Sequence, residues 1–220
     1  MKLEYLSHAL QKNIPVYGKG METIDFHILS SVSHGDSSST CKFTMGNHWG
    51  THIDCPAHFF KEGKRVSEYS PETWIFKNPY VLEITLMENE IITPEYIGAV
   101  PKQSDLILIK SSFGNYRGTD KYSFHNPEFS PETGFLLRKK YPSVRAVGFD
   151  FISASPYQNR ELGRETHRAF LGPNGDGSPV LFIEDMDLSK DLAGPHCVYA
   201  VPLLLEEADS SPCTVIGEFK

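Results

Sequence analysis

Residues 130–149 read SPETGFLLRKKYPSVRAVGF, a helix start followed by a strand within twenty residues. Ser130 supplies a capping hydroxyl, and Pro131 stands where the first turn needs no N–H donor, so a helix is predicted through the run LLRKKY. The β-branched run VRAVGF at 144–149 then reads as a strand. Outward from this unit the pattern repeats. Apolar runs at 80–86 (YVLEITL), 106–109 (LILI), 180–183 (VLFI) and 198–205 (VYAVPLLL) are predicted strands. A short helix is expected over about 93–100 and a longer one over about 159–171. Strands alternating with helices predict an α/β domain with a mixed or partly parallel sheet. The first 70 residues, rich in Pro and Gly, read instead as hairpins and long loops, an irregular amino-terminal layer. With no internal repeat, and with GPNGDGSP at 172–179 reading as a turn-rich loop, residues 1–220 are expected to form one domain.

Composition narrows the function. Twenty-one Lys and Arg against 28 Asp and Glu give a net charge of −7, so a phosphate-backbone partner is disfavoured and no nucleic-acid role is expected. No run reaches the 18 apolar residues of a membrane span, and the opening MKLEYLSHALQKN lacks the apolar stretch of a secretion signal. A soluble, cytoplasmic protein without a membrane partner is expected. Cys41, Cys55, Cys197 and Cys213 form no Cys-x-x-Cys pair, so neither a disulfide framework nor a thiolate zinc site is suggested.

The chemistry concentrates in one segment, His48-Trp-Gly-Thr-His52-Ile-Asp54-Cys-Pro-Ala-His58. The separations of 4, 2 and 4 are even, so in an extended chain the four polar side chains share one face, with Thr51, Ile53, Cys55 and Ala57 on the other. A straight strand would set His48 and His58 about 33 Å apart at ~3.3 Å per residue, so the segment must bend if the four are to meet. Gly50 and Pro56 offer the two bends. Imidazole nitrogens with a carboxylate suit zinc, manganese or iron(II) without sulfur.

The segment resembles the signature His-x-Gly-Thr-His-x-Asp-x-Pro-x-His of the cyclase family of metal-dependent hydrolases, which includes bacterial kynurenine formamidases and isatin hydrolase. All seven fixed positions are present, at His48, Gly50, Thr51, His52, Asp54, Pro56 and His58. Leu6-Ser7-His8, Ile14-Pro15-Val16-Tyr17, the run 107–112 and Val147-Gly148-Phe149-Asp150 extend the likeness over roughly residues 5–205. It implies a cyclase-like (swivelling β/β/α-type) domain, a homo-oligomer (dimer or tetramer), and zinc or manganese as cofactor, two ions per subunit. It further implies that His48, His52 and Asp54 hold a first metal, that His167 binds a second, and that Asp54 and Glu184 bridge the two. His58 would be the proton shuttle and Tyr17 a substrate contact.

The activity implied is hydrolysis of an amide, cyclic amide or related acyl bond in a small carbonyl substrate. A divalent cation lowers the pKa of water towards 7 and polarises a carbonyl, while an imidazole of ordinary pKa near 6.5 passes the proton onward. Two departures bear on the pocket: Tyr17 stands where kynurenine formamidases carry Trp, and FISASP at 151–156 lacks the acid that usually follows the Gly-x-Asp strand. An arylformamidase acting on N-formylkynurenine and a non-catalytic metal-containing small-molecule-binding protein are the competing readings.

Overall fold

In the computed structural model of this chain, residues 1–173, 177–190 and 194–220 are described. The predicted loop at 172–179 therefore lies partly outside the described residues. Nine strands form one mixed sheet: β1 (Lys2–Tyr5), β2 (His52–Asp54), β3 (Ile75–Phe76), β4 (Pro79–Glu83), β5 (Leu106–Lys110), β6 (Ala146–Phe149), β7 (Leu181–Glu184), β8 (Cys197–Pro202) and β9 (Ser210–Phe219). The hydrogen-bonded order is β3-β8-β9-β2-β7-β6-β5-β4, with β1 also on β9. Strands β4 to β7 run parallel, and β2, β9, β8 and β3 continue from β7 antiparallel.

The parallel half is made of continuous apolar runs because both of its faces are covered. Every residue of β6 and β7 is buried, and Phe129, Phe149, Phe151, Phe170 and Phe182 pack together between sheet and helices. Helices α1 (Pro94–Ile97) and α2 (Asp120–Phe124) are short, and helix α3 (Pro131–Lys140) starts at Ser130, whose side chain accepts from the Thr133 N–H as its sequence position predicts. Helix α4 (Arg160–Leu171) connects β6 to β7 and packs on α3, burying Thr166, His167, Phe170 and Leu171.

The expectation of an α/β fold with a mixed sheet and an irregular amino-terminal layer agrees with what is observed. That layer consists of two hairpins, Asn13–Val16 with Gly20–Thr23 and Asp25–Ser30 with Thr40–Thr44. Several element boundaries differ from expectation, and one strand was missed. The strand predicted over 80–86 is regular only over Pro79–Glu83, although Ile84 and Leu86 still donate to the carbonyls of Lys110 and Ser111. The strand predicted over 198–205 ends at Pro202, leaving Leu203, Leu204 and Leu205 exposed. The helix predicted over 93–100 is the four-residue Pro94–Ile97. Strand β9, ten residues long, was not anticipated, because Pro212 and Gly217 interrupt its apolar run; its signal is the alternation of buried Cys213, Val215 and Phe219 with more exposed neighbours.

Candidate metal centre

The site lies at the seam where the parallel half meets the antiparallel half. Strand β2 is antiparallel to β7 with His52 opposite Glu184, so one register brings an imidazole and a carboxylate together from distant parts of the sequence. Asp54, two residues on, shares the face of His52, while Ile53 and Cys55 join the hydrophobic core on the other. The bends fall where the sequence places them. Gly50 adopts φ +68, a left-handed conformation that favours glycine, and Pro56–His58 form a single 3-10 turn that swings His58 back over the site. His167 comes from the buried face of α4, against which Gly163 lets Ser155 pack closely.

His52, Asp54, His167 and Glu184 are each at most 3% exposed. His52 Nε2 is 3.5 Å from Asp54 Oδ1 and 3.4 Å from Glu184 Oε2. His167 Nε2 is 3.6 Å from Asp54 Oδ2 and 3.8 Å from Glu184 Oε1, and His48 Nδ1 is 3.1 Å from Asp54 Oδ1. The structure thus brings His48, His52, Asp54, His167 and Glu184 into one cluster, with His58 beside them: ligand-capable atoms of Asp54, His58 and His167 lie within 4.8 Å of one another.

Each imidazole is turned by an acceptor on its far side. His52 Nδ1 donates to the Gly50 carbonyl at 2.8 Å, and His167 Nδ1 to the Gly163 carbonyl at 2.9 Å. His48 Nε2 donates to Asp209 Oδ2 at 3.3 Å. These bonds fix the outer nitrogen of each ring and turn the other nitrogen towards the carboxylates, the arrangement that outer partners give to metal-ligating histidines. Among the described residues, His52 Nε2 and Asp54 Oδ1 are buried without a well-formed hydrogen bond, which is costly for polar atoms unless a cation satisfies them. Donor set, convergence and orphaned atoms therefore fit a divalent ion.

Electrostatics agree. Burial disfavours charge on His48, yet Asp54 and Asp209 outweigh it and raise that imidazole to about 10. Burial likewise opposes charge on His167, and Asp54 with Glu184 carry it up to about 9. Asp54 is held well below the usual carboxylate range, because the imidazoles around it outweigh its burial. The carboxylates that draw protons onto these imidazoles would also attract a divalent ion, which would displace those protons on binding.

Three contributors escaped sequence reading. Asp209 accepts from His58 Nδ1 at 2.7 Å and from His48, and is itself fixed by Asn47 Nδ2 at 2.9 Å. The acid-free segment at 151–156 acts through donors: the Ala154 N–H gives Glu184 Oε1 a 2.8 Å bond, with Ser153 Oγ at 3.4 Å. Arg160 and Arg164 line the cavity of about 370 Å³ above the cluster, together with Tyr17, Phe59 and Ile152. Positions 160, 164 and 167 are i, i+4 and i+7 on one helix face, a signal that the sequence does carry. Tyr17 reaches the same cavity, edge-on to Tyr157 at 5.8 Å; burial raises its hydroxyl to about 12, so at neutral pH it is a hydrogen-bond donor.

The chain matches the family model "Cyclase: Putative cyclase" over residues 5–156. It is 27% identical to a kynurenine formamidase of Bacillus cytotoxicus, an alignment covering 96% of this chain and 94% of that protein. Among solved structures, isatin hydrolase A from Labrenzia aggregata bound to benzyl benzoate superposes with a TM-score of 0.80 at 20% identity, covering 98% of this chain and 92% of that one. A predicted metal-dependent hydrolase from Bacillus stearothermophilus superposes with a TM-score of 0.75 at 22% identity, covering 98% and 97%. These likenesses show the cyclase-like fold.

Proposed function

We propose, from the premise that this chain belongs to the cyclase family, that residues 1–220 act as one metal-dependent hydrolase domain cleaving an amide, cyclic amide or related acyl bond of a small carbonyl substrate. The observation that carries this reading is the convergence of buried, inward-facing nitrogen and oxygen atoms from His52, Asp54, His167 and Glu184, two of which make no well-formed hydrogen bond among the described residues. His48, His52 and Asp54 would hold one cation and His167 a second, with Asp54 and Glu184 offering oxygens to both; zinc or manganese suits this donor set. A divalent ion there supplies water of low pKa and polarisation of the carbonyl.

The chain's own residues do the rest. His58, fixed through Nδ1 by Asp209, keeps its other nitrogen free to move a proton to the leaving group. Asp209 sets the ring's tautomer and orientation. Tyr17 donates a hydrogen bond to the substrate and, with Phe59 and Ile152, shelters the reacting bond from bulk water.

Likeness to kynurenine formamidases supports scission of a carbon–nitrogen bond and favours an arylformamidase acting on N-formylkynurenine as the second reading. A homo-oligomer is supported by exposed apolar surface: the hairpin Asp25–Ser30 with Thr40–Thr44 projects Ile28 at 71% and Phe43 at 52% exposure. Beside it, a groove of about 930 Å³ is lined by Phe43, Leu10, Val201 and Leu203. Four free thiols suit the cytoplasm.

The test is hydrolysis by zinc- or manganese-loaded protein of a panel containing formanilide, N-formylkynurenine, a lactam and a lactone. Metal-dependent turnover of at least one member is expected. A fully metallated protein that hydrolyses none of them overturns the reading.

A further inference from the structure

The rim of the cavity carries a charge that the floor does not use. Arg160 and Arg164 line it above the metal cluster, and among the described residues no carboxylate forms an ion pair with either. Arg160 rests over the Tyr157 ring at 4.7 Å, beside the aromatic wall that Tyr17 completes. Asp54 and Glu184 are matched by the histidines, so they do not account for the guanidinium groups.

Local physics argues against these residues on structural grounds alone. Arg160 is the first residue of α4, where the helix dipole disfavours positive charge. Arg160 and Arg164 stand at i and i+4, a like-charge pair that destabilises a helix. The chain as a whole is acidic, at −7, so the two cations run against its average too. A helix that keeps both groups without a counter-charge at a cavity mouth is arranged for an anion that arrives from outside.

We infer that Arg160 and Arg164 form a subsite for a carboxylate of the substrate, separate from the acyl bond that is cleaved. The fork of a guanidinium presents paired donors matched to a planar carboxylate. Position along the helix sets the spacing. Arg164 lies three residues and Arg160 seven residues from His167, about 4.5 and 10 Å along the axis at 1.5 Å per residue. The carboxylate and the scissile bond are therefore separated by the width of a ring or a short chain, and the aromatic wall of Tyr17 and Tyr157 lies beside that gap. The substrate class is a small amide or related acyl compound with a remote carboxylate, joined through a flat or short spacer. This deepens the hydrolase reading and rests on it for the nature of the cleaved bond.

Two measurements on zinc-loaded protein test it. In the first, kcat/KM is compared for 4-formamidobenzoate and formanilide, which differ only in the carboxylate. The wild type is expected to favour the acid, and Arg160→Gln/Arg164→Gln to lose roughly tenfold or more of that ratio. Equal ratios in the two proteins overturn the subsite. In the second, calorimetry compares terephthalate with benzoate: both offer one carboxylate to the metal floor, and only terephthalate has a second for the rim. Tighter terephthalate binding, lost in the double variant, supports the inference, and equal binding of the two overturns it whether or not any formamide is turned over. Absence of turnover on both formamides leaves calorimetry to decide the subsite, while the full substrate panel decides the hydrolase reading. Both arginines are exposed, so the variants are expected to fold.

Discussion

On the floor of the cavity, His52, Asp54, His167 and Glu184 are almost sealed from solvent, and each imidazole is turned by a bond on its far side. At the rim, Arg160 and Arg164 stand in solvent, and among the described residues no carboxylate pairs with either. The contrast extends to a third arginine. Arg117 is largely buried and makes two parallel bonds to Asp185, Nε to Oδ1 at 2.8 Å and Nη2 to Oδ2 at 2.7 Å, while the Tyr122 hydroxyl donates to the same carboxylate at 2.5 Å. Asp185 has φ +51, an uncommon conformation for a non-glycine residue, directly after Glu184. Charges that shape the floor are paired inside the protein, whereas charges at the rim await a partner. Chemistry and selectivity should thus respond to different substitutions.

The largest effects belong to the floor. His52→Ala and Asp54→Ala are expected to lose bound metal and to lower kcat/KM by about a thousandfold or more, since water then regains its ordinary pKa near 15.7. Metal analysis of the folded variants beside their kinetics checks this; full metal content in both would refute the ligand assignment. His58→Ala sharpens the comparison within the floor itself. It should keep its metal and lose about 10²–10⁴ in kcat, the range for a general acid or base. Asp209→Asn should cost less, about 10–100-fold, as expected for a residue that orients another. A larger loss for Asp209→Asn than for His58→Ala would reverse the two roles.

Next in size is Arg117. Replacing it by Gln leaves Asp185 buried beside Glu184 without its counter-charge, and breaking such a pair costs about 3–5 kcal/mol. Urea denaturation of the metal-free protein reads this directly. A loss below 1 kcal/mol would place Arg117 with the rim arginines.

How much of this was legible depended on whether the information was local. The bend of the segment His48–His58 was readable because Gly50 and Pro56 are local backbone constraints, and the α3 start because Ser130 and Pro131 act on their own turn. Strand β9 was not, since its identity comes from pairing with β2 and β8 rather than from its own composition. Asp209 was hidden for the same reason. It follows the exposed run 203–207 in the chain, and only the β9–β2 register brings it to His48 and His58. His167 and Glu184, by contrast, were reached through family likeness, because neither a lone helical imidazole nor a strand-end acid announces a site.

A pH test separates other buried carboxyls from the cluster of His52, Asp54, His167 and Glu184. Glu128 has one carboxyl oxygen buried without a partner among the described residues, and burial raises this group to about 7. An acid with a raised folded pKa costs nothing while both states are protonated. It destabilises progressively as the unfolded chain ionises, and the penalty is complete above the folded value. Stability should therefore fall as pH rises from about 4.5 to about 7, and Glu128→Gln should flatten that slope. Thermal unfolding of both proteins across this window decides it; parallel curves would rule Glu128 out as the source.

The smallest expected change bears most directly on the rim. Against one opposite charge at Glu161, three residues before it, Arg164 has like charges at Arg160, four residues before, and Arg168, four residues after. Each such pair costs about 0.2–0.5 kcal/mol, and Gln matches Arg in helix propensity. Arg164→Gln in metal-free protein should therefore unfold at the same temperature as the wild type or slightly above it, by a few tenths of a kcal/mol. Added salt should erase the gain, because screening shortens the reach of exposed charges. A destabilisation near that of Arg117→Gln would mean that Arg164 already has a partner within the fold. The distinction between a rim that waits for an anion and a floor that is internally matched would then fail.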